Sequence, residues 1–211
     1  MQRAPIVMPG YPVPPAEPVD ALAEDIRPNL EEQQLLGRLR RGDELAFARL
    51  FEQHWDGVSR VLIRLLGDRE QAGDVAQEVF VQLFRRPPEA SDVPLRAWLY
   101  RVAVNRGYNA LRTDRRRRTR EETVARDPSS PSAGDAGVLE EANRAEERDV
   151  VRRTLLRLNE RQRECLLLRA EGLSYVEIAT ALGVAPGSVG TLLARAERAF
   201  KDAYRAQRGG M

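Results

Sequence analysis

The chain of 211 residues is long enough for one ordinary domain or two small ones. Hydrophobic residues make up 42% and aromatics only 6%. That suits small helical cores and excludes a large sheet sandwich, whose strands need more β-branched and aromatic residues. Lys plus Arg (34) nearly balance Asp plus Glu (32), for a net charge of +2, so the total argues weakly for a nucleic-acid partner and charge placement matters more. Lys201 is the sole lysine. The basic groups are therefore almost all guanidinium forks, which are planar, always charged and matched to phosphate and base edges.

No apolar run approaches the about 20 residues that span a bilayer, and no charged start with an apolar core marks a signal peptide. A soluble protein of the reducing cytoplasm, without membrane insertion, is expected. Cys165, the single cysteine, is followed by Leu166 to Leu168 and reads as a small buried hydrophobe. His54, the single histidine, has no second His or Cys beside it. A structural role is expected for it, and no metal or cofactor.

Residues 1–28 hold seven of the thirteen prolines, a stretch that cannot form helix and has little to bury, so it reads as a disordered tail. Residues 29–118 read as one helical domain. Asp43 is the N-cap of a long helix that ends at Gly67, and Asp68 with Gln71 makes a capping-box-like start for the next. That second helix stops at about Arg85, before Pro87 and Pro88, and Pro94 opens a third from Leu95 to about Arg118. Residues 119–148, with Asp127–Gly134 at their centre, read as a flexible linker. A second helical domain follows over 149–206, with capping boxes at Asn159/Gln162 and Ser174/Glu177, and 207–211 form a short tail. The fold class is all-α, two small helical domains on a tether.

Three segments carry chemistry. In EGLSYVEIATALGVAPGSVGTLLARAERAF, a helix from about Ser174 buries Ile178, Ala179 and Leu182, and Gly183 opens a turn. A second helix from Pro186 then buries Val189 and Leu193, the spacing of a helix-turn-helix whose second helix enters the DNA major groove. In LRTDRRRRTR, Leu111 to Arg120, six arginines face one aspartate, a field suited to phosphate, although the run by itself reads equally well as a solvated face. Upstream of it Trp98, Tyr100, Asn105, Arg106, Tyr108 and Asn109 interleave stacking and hydrogen-bonding groups suited to single-stranded nucleic acid. Trp98 reads equally well as core. In DVAQEVFVQLFRR, Asp74 and Glu78 share a face beside Gln77. Spacing alone leaves that face open between a solvated surface and a docking ridge.

Together these segments resemble the extracytoplasmic-function sigma factors, the compact specificity subunits of bacterial RNA polymerase. The match runs through LLGRLRRGDELAFARLFEQH, RLLGDREQAGDVAQEVFVQLFR, LRAWLYRVAVNRGYNALR and LNERQRECLLLRAEGLSYVEIATALGVAPGSV. The resemblance implies sigma region 2 over 29–118 and region 4 over 149–206, with no region 3 between them. It assigns Asp74, Gln77 and Glu78 to core polymerase (the β′ clamp helices, with β as the second polymerase partner). Trp98, Tyr100, Arg101, Asn105, Asn109 and Arg112 fall to capture and melting of the promoter −10 element, with Arg115 and Arg116 on its backbone. The −35 element falls to Arg169, Pro186, Gly187, Ser188, Gly190, Thr191, Ala194 and Arg195. It also implies an anti-sigma partner. This chain departs from the family where GSVGTLLARAE, Gly187 to Glu197, stands for a pattern like GTVKSRLHRAR. Gly190 and Leu192 replace basic residues, so −35 affinity is expected to be weak or to rest on Ser188, Thr191 and backbone amides, while Leu192 is left between DNA and a protein partner.

Two other functions fit parts of the sequence. A stand-alone helix-turn-helix regulator would need neither DVAQEVF nor the arginine-rich helix. An enzyme acting on nucleic acid would need a carboxylate cluster, an activated nucleophile or a phosphate loop, none of which is visible.

Overall fold

A computed structural model gives the structure of residues 30–89, 94–121 and 138–208, with side chains described outside 118–121, 138–145 and 208. Its helices are α1 (Leu30–Leu39), α2 (Glu44–Leu66), α3 (Arg69–Arg85), α4 (Leu95–Glu121), α5 (Val138–Arg157), α6 (Glu160–Ala170), α7 (Tyr175–Leu182) and α8 (Pro186–Arg208), and no strand occurs among the described residues. The tail at 1–28 and the centre of the expected linker lie outside the described residues.

Local chemistry sets most boundaries. The Asp43 carboxylate accepts from the amides of Leu45 and Ala46 to start α2, and Gly67, at φ +79°, takes the left-handed conformation that ends it. Asp68 accepts from the Gln71 amide to start α3, but the Gln71 side chain does not reach back to close a capping box. It donates instead to Asp114 of α4 at 2.5 Å, joining α3 to α4. Both capping boxes of the C-terminal half are complete, at Asn159/Gln162 and Ser174/Glu177.

Helix α5 starts at Val138, inside the segment read as linker, and α4 and α8 run a few residues past their expected ends. The run VLEEANRAEERDVVRRTLLR contains no Gly or Pro and is rich in strong helix formers. Its mixed charges include helical pairs, such as Asp149 with Arg152 (3.0 Å) and Arg153 (3.2 Å).

The N-terminal unit packs α1, α3 and α4 around α2. Leu50, Leu62, Phe80, Leu83, Leu95 and Leu99 fill its core. Phe51 stacks on Trp55 and meets Phe80, with ring centroids 4.8 Å apart in each pair. Each such ring withdraws apolar surface worth about 2 kcal/mol from water. His54 bonds Glu32 at 2.8 Å, tying α2 to α1. The C-terminal unit packs α5, α6 and α7 against α8. At its α5–α6 elbow the buried Arg163 guanidinium donates to the carbonyls of Leu155 (2.8 Å), Leu156 (3.1 Å) and Leu158 (2.9 Å), which satisfies helix-end acceptors that would otherwise lack partners.

The two units touch through α4 with α7 and α2 with α6. One buried cluster runs across the boundary, from Val61, Leu65, Tyr100, Val104 and Tyr108 to Leu155, Leu166, Leu168, Leu173 and Ile178. Polar contacts accompany it. Tyr108 donates to the Glu160 carbonyl at 3.3 Å, its ring lies under Arg163, and Arg152 of α5 donates to the Leu66 carbonyl at 3.4 Å.

Candidate functional site

Helix α3 turns Val75, Ala76, Val79, Phe80 and Leu83 into the core. The 3.6-residue period therefore puts Asp74, Gln77 and Glu78 together on the outer face, where all three are exposed. The same face continues through Val81 and Phe84, both nearly half exposed despite their apolar side chains. An open groove of about 830 Å³ runs along it, lined by Asp74, Gln77, Glu78, Val81, Gln82 and Arg106 among others. Arg106 of α4 pairs with Glu78 and donates to Gln82, so one wall of the groove is basic. Val81 and Phe84 are residues that sequence reasoning missed, and Arg106, read there with the nucleic-acid-facing groups of α4, turns to this groove instead. For Val81 and Phe84 the signal was present in the continued i, i+3, i+7 spacing of QEVFVQLF.

Helix α4 carries the second set. Arg101, Asn105, Asn109, Arg112, Arg115 and Arg116 are exposed. Trp98 is half-buried against the N-terminal core. Tyr100 is only 4% exposed and belongs to the cluster shared with the C-terminal unit; burial raises its hydroxyl pKa above the ordinary value. Arg101 and Asn105 line a cleft of about 270 Å³ whose opposite wall is Glu160, Arg161, Glu164 and Leu182 of the C-terminal unit. Arg112 pairs with Glu160 at 3.3 Å. In this arrangement part of α4's exposed face looks into the other half of the molecule.

The third set lies on the helix-turn-helix. Gly183 takes φ +64° at the turn, and α7 meets the axis of Pro186–Gln207 at 91°, as such motifs require. Val189 and Leu193 are buried against the core. Pro186, Gly187, Ser188, Thr191, Ala194, Arg195 and Arg198 are left exposed on the opposite strip. Gly190 is half-buried facing Tyr175, where an added Cβ would lie 3.6 Å from the ring. Leu192 is partly buried and packs on the core cluster. Arg169 stands apart from the strip. It is buried, donates to the Leu173 carbonyl at 3.1 Å and lies over the Tyr175 ring, so it holds the turn before α7 in shape.

No group of three or more His, Cys, Asp or Glu that could hold a metal occurs among the described residues, and no single helix there is long and apolar enough to cross a membrane. Cys165 is fully buried, and burial pushes its thiol up to about 12.

Comparison with known proteins gives a consistent kinship. Residues 50–117 match the family described as Sigma-70 region 2, and residues 148–200 match Sigma-70, region 4. The chain is 34% identical over 183 residues to the RNA polymerase sigma-H factor of Pseudomonas aeruginosa, covering 83% of this chain and 94% of that one. It is 31% identical over 182 residues to the ECF RNA polymerase sigma-E factor of Escherichia coli, covering 82% and 94%. Against SigL of Mycobacterium tuberculosis the identity is 32% over 156 residues, covering 72% and 85%. Among solved structures, CnrH in complex with the cytosolic domain of CnrY matches with TM-score 0.61 and 24% identity, covering 83% of this chain and 98% of that one. RpoE in complex with the anti-sigma factor NepR, from Bartonella quintana, matches with TM-score 0.54 and 20% identity, covering 75% and 96%. At those identities the two structures speak for the fold alone. Two region matches in sigma order, with relatives aligned over nearly their whole length, place this chain in the extracytoplasmic-function family: it is an alternative sigma factor of RNA polymerase.

Proposed function

We propose that this sigma factor docks on core RNA polymerase through the outer face of α3, captures and melts the −10 element with α4, and reads the −35 element with α8. The observation that carries the reading is the joint exposure of Asp74, Gln77 and Glu78 on one ridge, extended by Val81 and Phe84. An acidic, amide-bearing ridge with apolar ends suits a basic helical partner such as the β′ clamp, with rim charges steering the encounter and apolar groups supplying affinity. On α4, Trp98, Arg101, Asn105, Asn109 and Arg112 stack on and hydrogen-bond unpaired bases, joined by Tyr100 once the units part, offsetting a few kcal/mol of unstacking, while Arg115 and Arg116 hold the backbone. On α8, Pro186, Gly187, Ser188, Thr191, Ala194 and Arg195 face the groove, while Gly190, backed by Tyr175, and Arg169 support them from below. The work is binding throughout and belongs in the cytoplasm with the polymerase. An anti-sigma partner belongs to the same proposal; the similarly folded RpoE was solved with the anti-sigma factor NepR.

The test is affinity for purified core polymerase, followed by run-off transcription. Asp74→Ala with Gln77→Ala and Glu78→Ala weakens core binding by about thirtyfold, the effect of one interface hot spot. Substitution of the exposed Arg49, on a different helix, leaves it unchanged. Core affinity equal to wild type in the triple variant would overturn the reading.

A further inference from the structure

Two arginines of the N-terminal unit meet one carboxylate of the C-terminal unit, and a third holds the backbone beside it. Glu171 sits at the end of α6 with its side chain only 2% exposed. It accepts from Arg60 Nε at 3.0 Å and from Arg64, both on α2. Arg96, at the start of α4, donates to the backbone carbonyls of Glu171 (2.6 Å) and Gly172 (3.5 Å) and lies 3.7 Å from Glu177. Guanidinium groups gathered this closely need an anion between them, and a carboxylate and a phosphodiester offer the same pair of oxygens to a guanidinium fork.

The surroundings indicate which anion replaces Glu171 when the halves part. Arg96 lies over the ring of Tyr100 at 5.8 Å, and the Tyr100 hydroxyl lies against Gly57, one turn before Arg60 and two before Arg64, too close for any side chain there. The triad therefore borders a stacking residue on the helix read above as the −10 reader. A basic anchor beside an aromatic platform is the arrangement that tracks single-stranded nucleic acid.

We propose that Arg60, Arg64 and Arg96 form a binding site for the backbone phosphate of the melted promoter strand, and that Glu171 occupies it as an internal phosphate mimic while the two units are closed. Core docking or promoter entry must displace Glu171, so the chain alone holds DNA weakly until it opens. This rests on the reading of α4 as the −10 helix and adds to it a site on α2 and the reason that site is masked.

The experiment uses the full chain, a labelled single-stranded oligonucleotide and a salt titration, with small-angle scattering to report opening. Glu171→Gln expands the chain, raises affinity about tenfold by removing the closed-state penalty, and steepens the salt dependence by about two units of slope. Glu171→Ala is the second variant should the first misfold. Adding Arg60→Ala, Arg64→Ala and Arg96→Ala to Glu171→Gln keeps the expanded form but loses both gains. If instead the arginine variants alone gain affinity as Glu171→Gln does, the arginines are only a latch and the phosphate site is refuted. An expanded Glu171→Gln with unchanged affinity refutes it equally, and one that stays compact refutes the mask. Core binding by the wild-type chain is measured in parallel: its loss would defeat the sigma-factor docking described above, whereas its presence with any refuting result here defeats only this site.

Discussion

Glu164 sits half-buried at the wall of the α4 cleft. Burial, chiefly, raises its carboxyl pKa above the ordinary 4.5; the charge of Glu160 adds to the rise, and Arg161 and Arg163 oppose it. A carboxyl raised in the folded state binds protons more readily there than in the unfolded chain. Its contribution to stability is thus present below the ordinary value and is lost as pH rises through the folded one. Glu164→Gln keeps the shape and removes the charge, so it should raise Tm relative to wild type at pH 7 and leave it nearly unchanged at about pH 4. The same Tm difference at both pH values would show that the effect is not titration. Residue roles of this kind were unevenly legible in the sequence. Asp43, Gly67, Ser174 and Gly183 act as read, because caps and turns depend on neighbours in the chain. Arg163, Arg169 and Glu171 were not legible, because a buried charge declares its partner only in three dimensions, and in a chain this rich in arginine none of them stands out.

At the scale of the helix, α8 differs from α4 in charge. Its exposed strip holds Arg195 and Arg198 where α4 ends in an arginine run. Each phosphate contact contributes about one unit to the slope of log affinity against log salt. In holoenzyme bound to promoter fragments, Arg195→Ala should lower that slope by about one unit. Arg169→Ala should leave the slope alone and lower Tm, because that guanidinium is engaged with Leu173 and Tyr175. Equal slope losses in the two variants would mean that Arg169 reaches DNA. The long helices α2, α3 and α4 and the pair α7 and α8 were legible from caps and periodicity, whereas α1 was not singled out as a helix of its own. The miss at α5 is informative. Its start carries alternating charges with few apolar residues, so helix propensity rather than burial pattern sets it.

Across the whole molecule, the shared cluster makes the two units one cooperative body while they are closed. Tyr108 is central to it, with its ring under Arg163 and its hydroxyl on Glu160. Calorimetry of the full chain should show one unfolding transition. Tyr108→Ala should remove about 3 kcal/mol and split that transition in two, as a boundary residue of a joint core would. Two transitions in wild type would show that the units unfold independently. This contact between units was the part of the fold least visible beforehand, because Tyr100, Val104 and Tyr108 satisfy the burial pattern of α4 whichever neighbour covers them. Arg163 has a mechanical consequence of its own. By bonding three carbonyls at the end of α5 it ties α6 to that end, so a hinge at this elbow would have to break three charge-assisted hydrogen bonds at once. Any bend between the two units must therefore fall elsewhere than at this elbow.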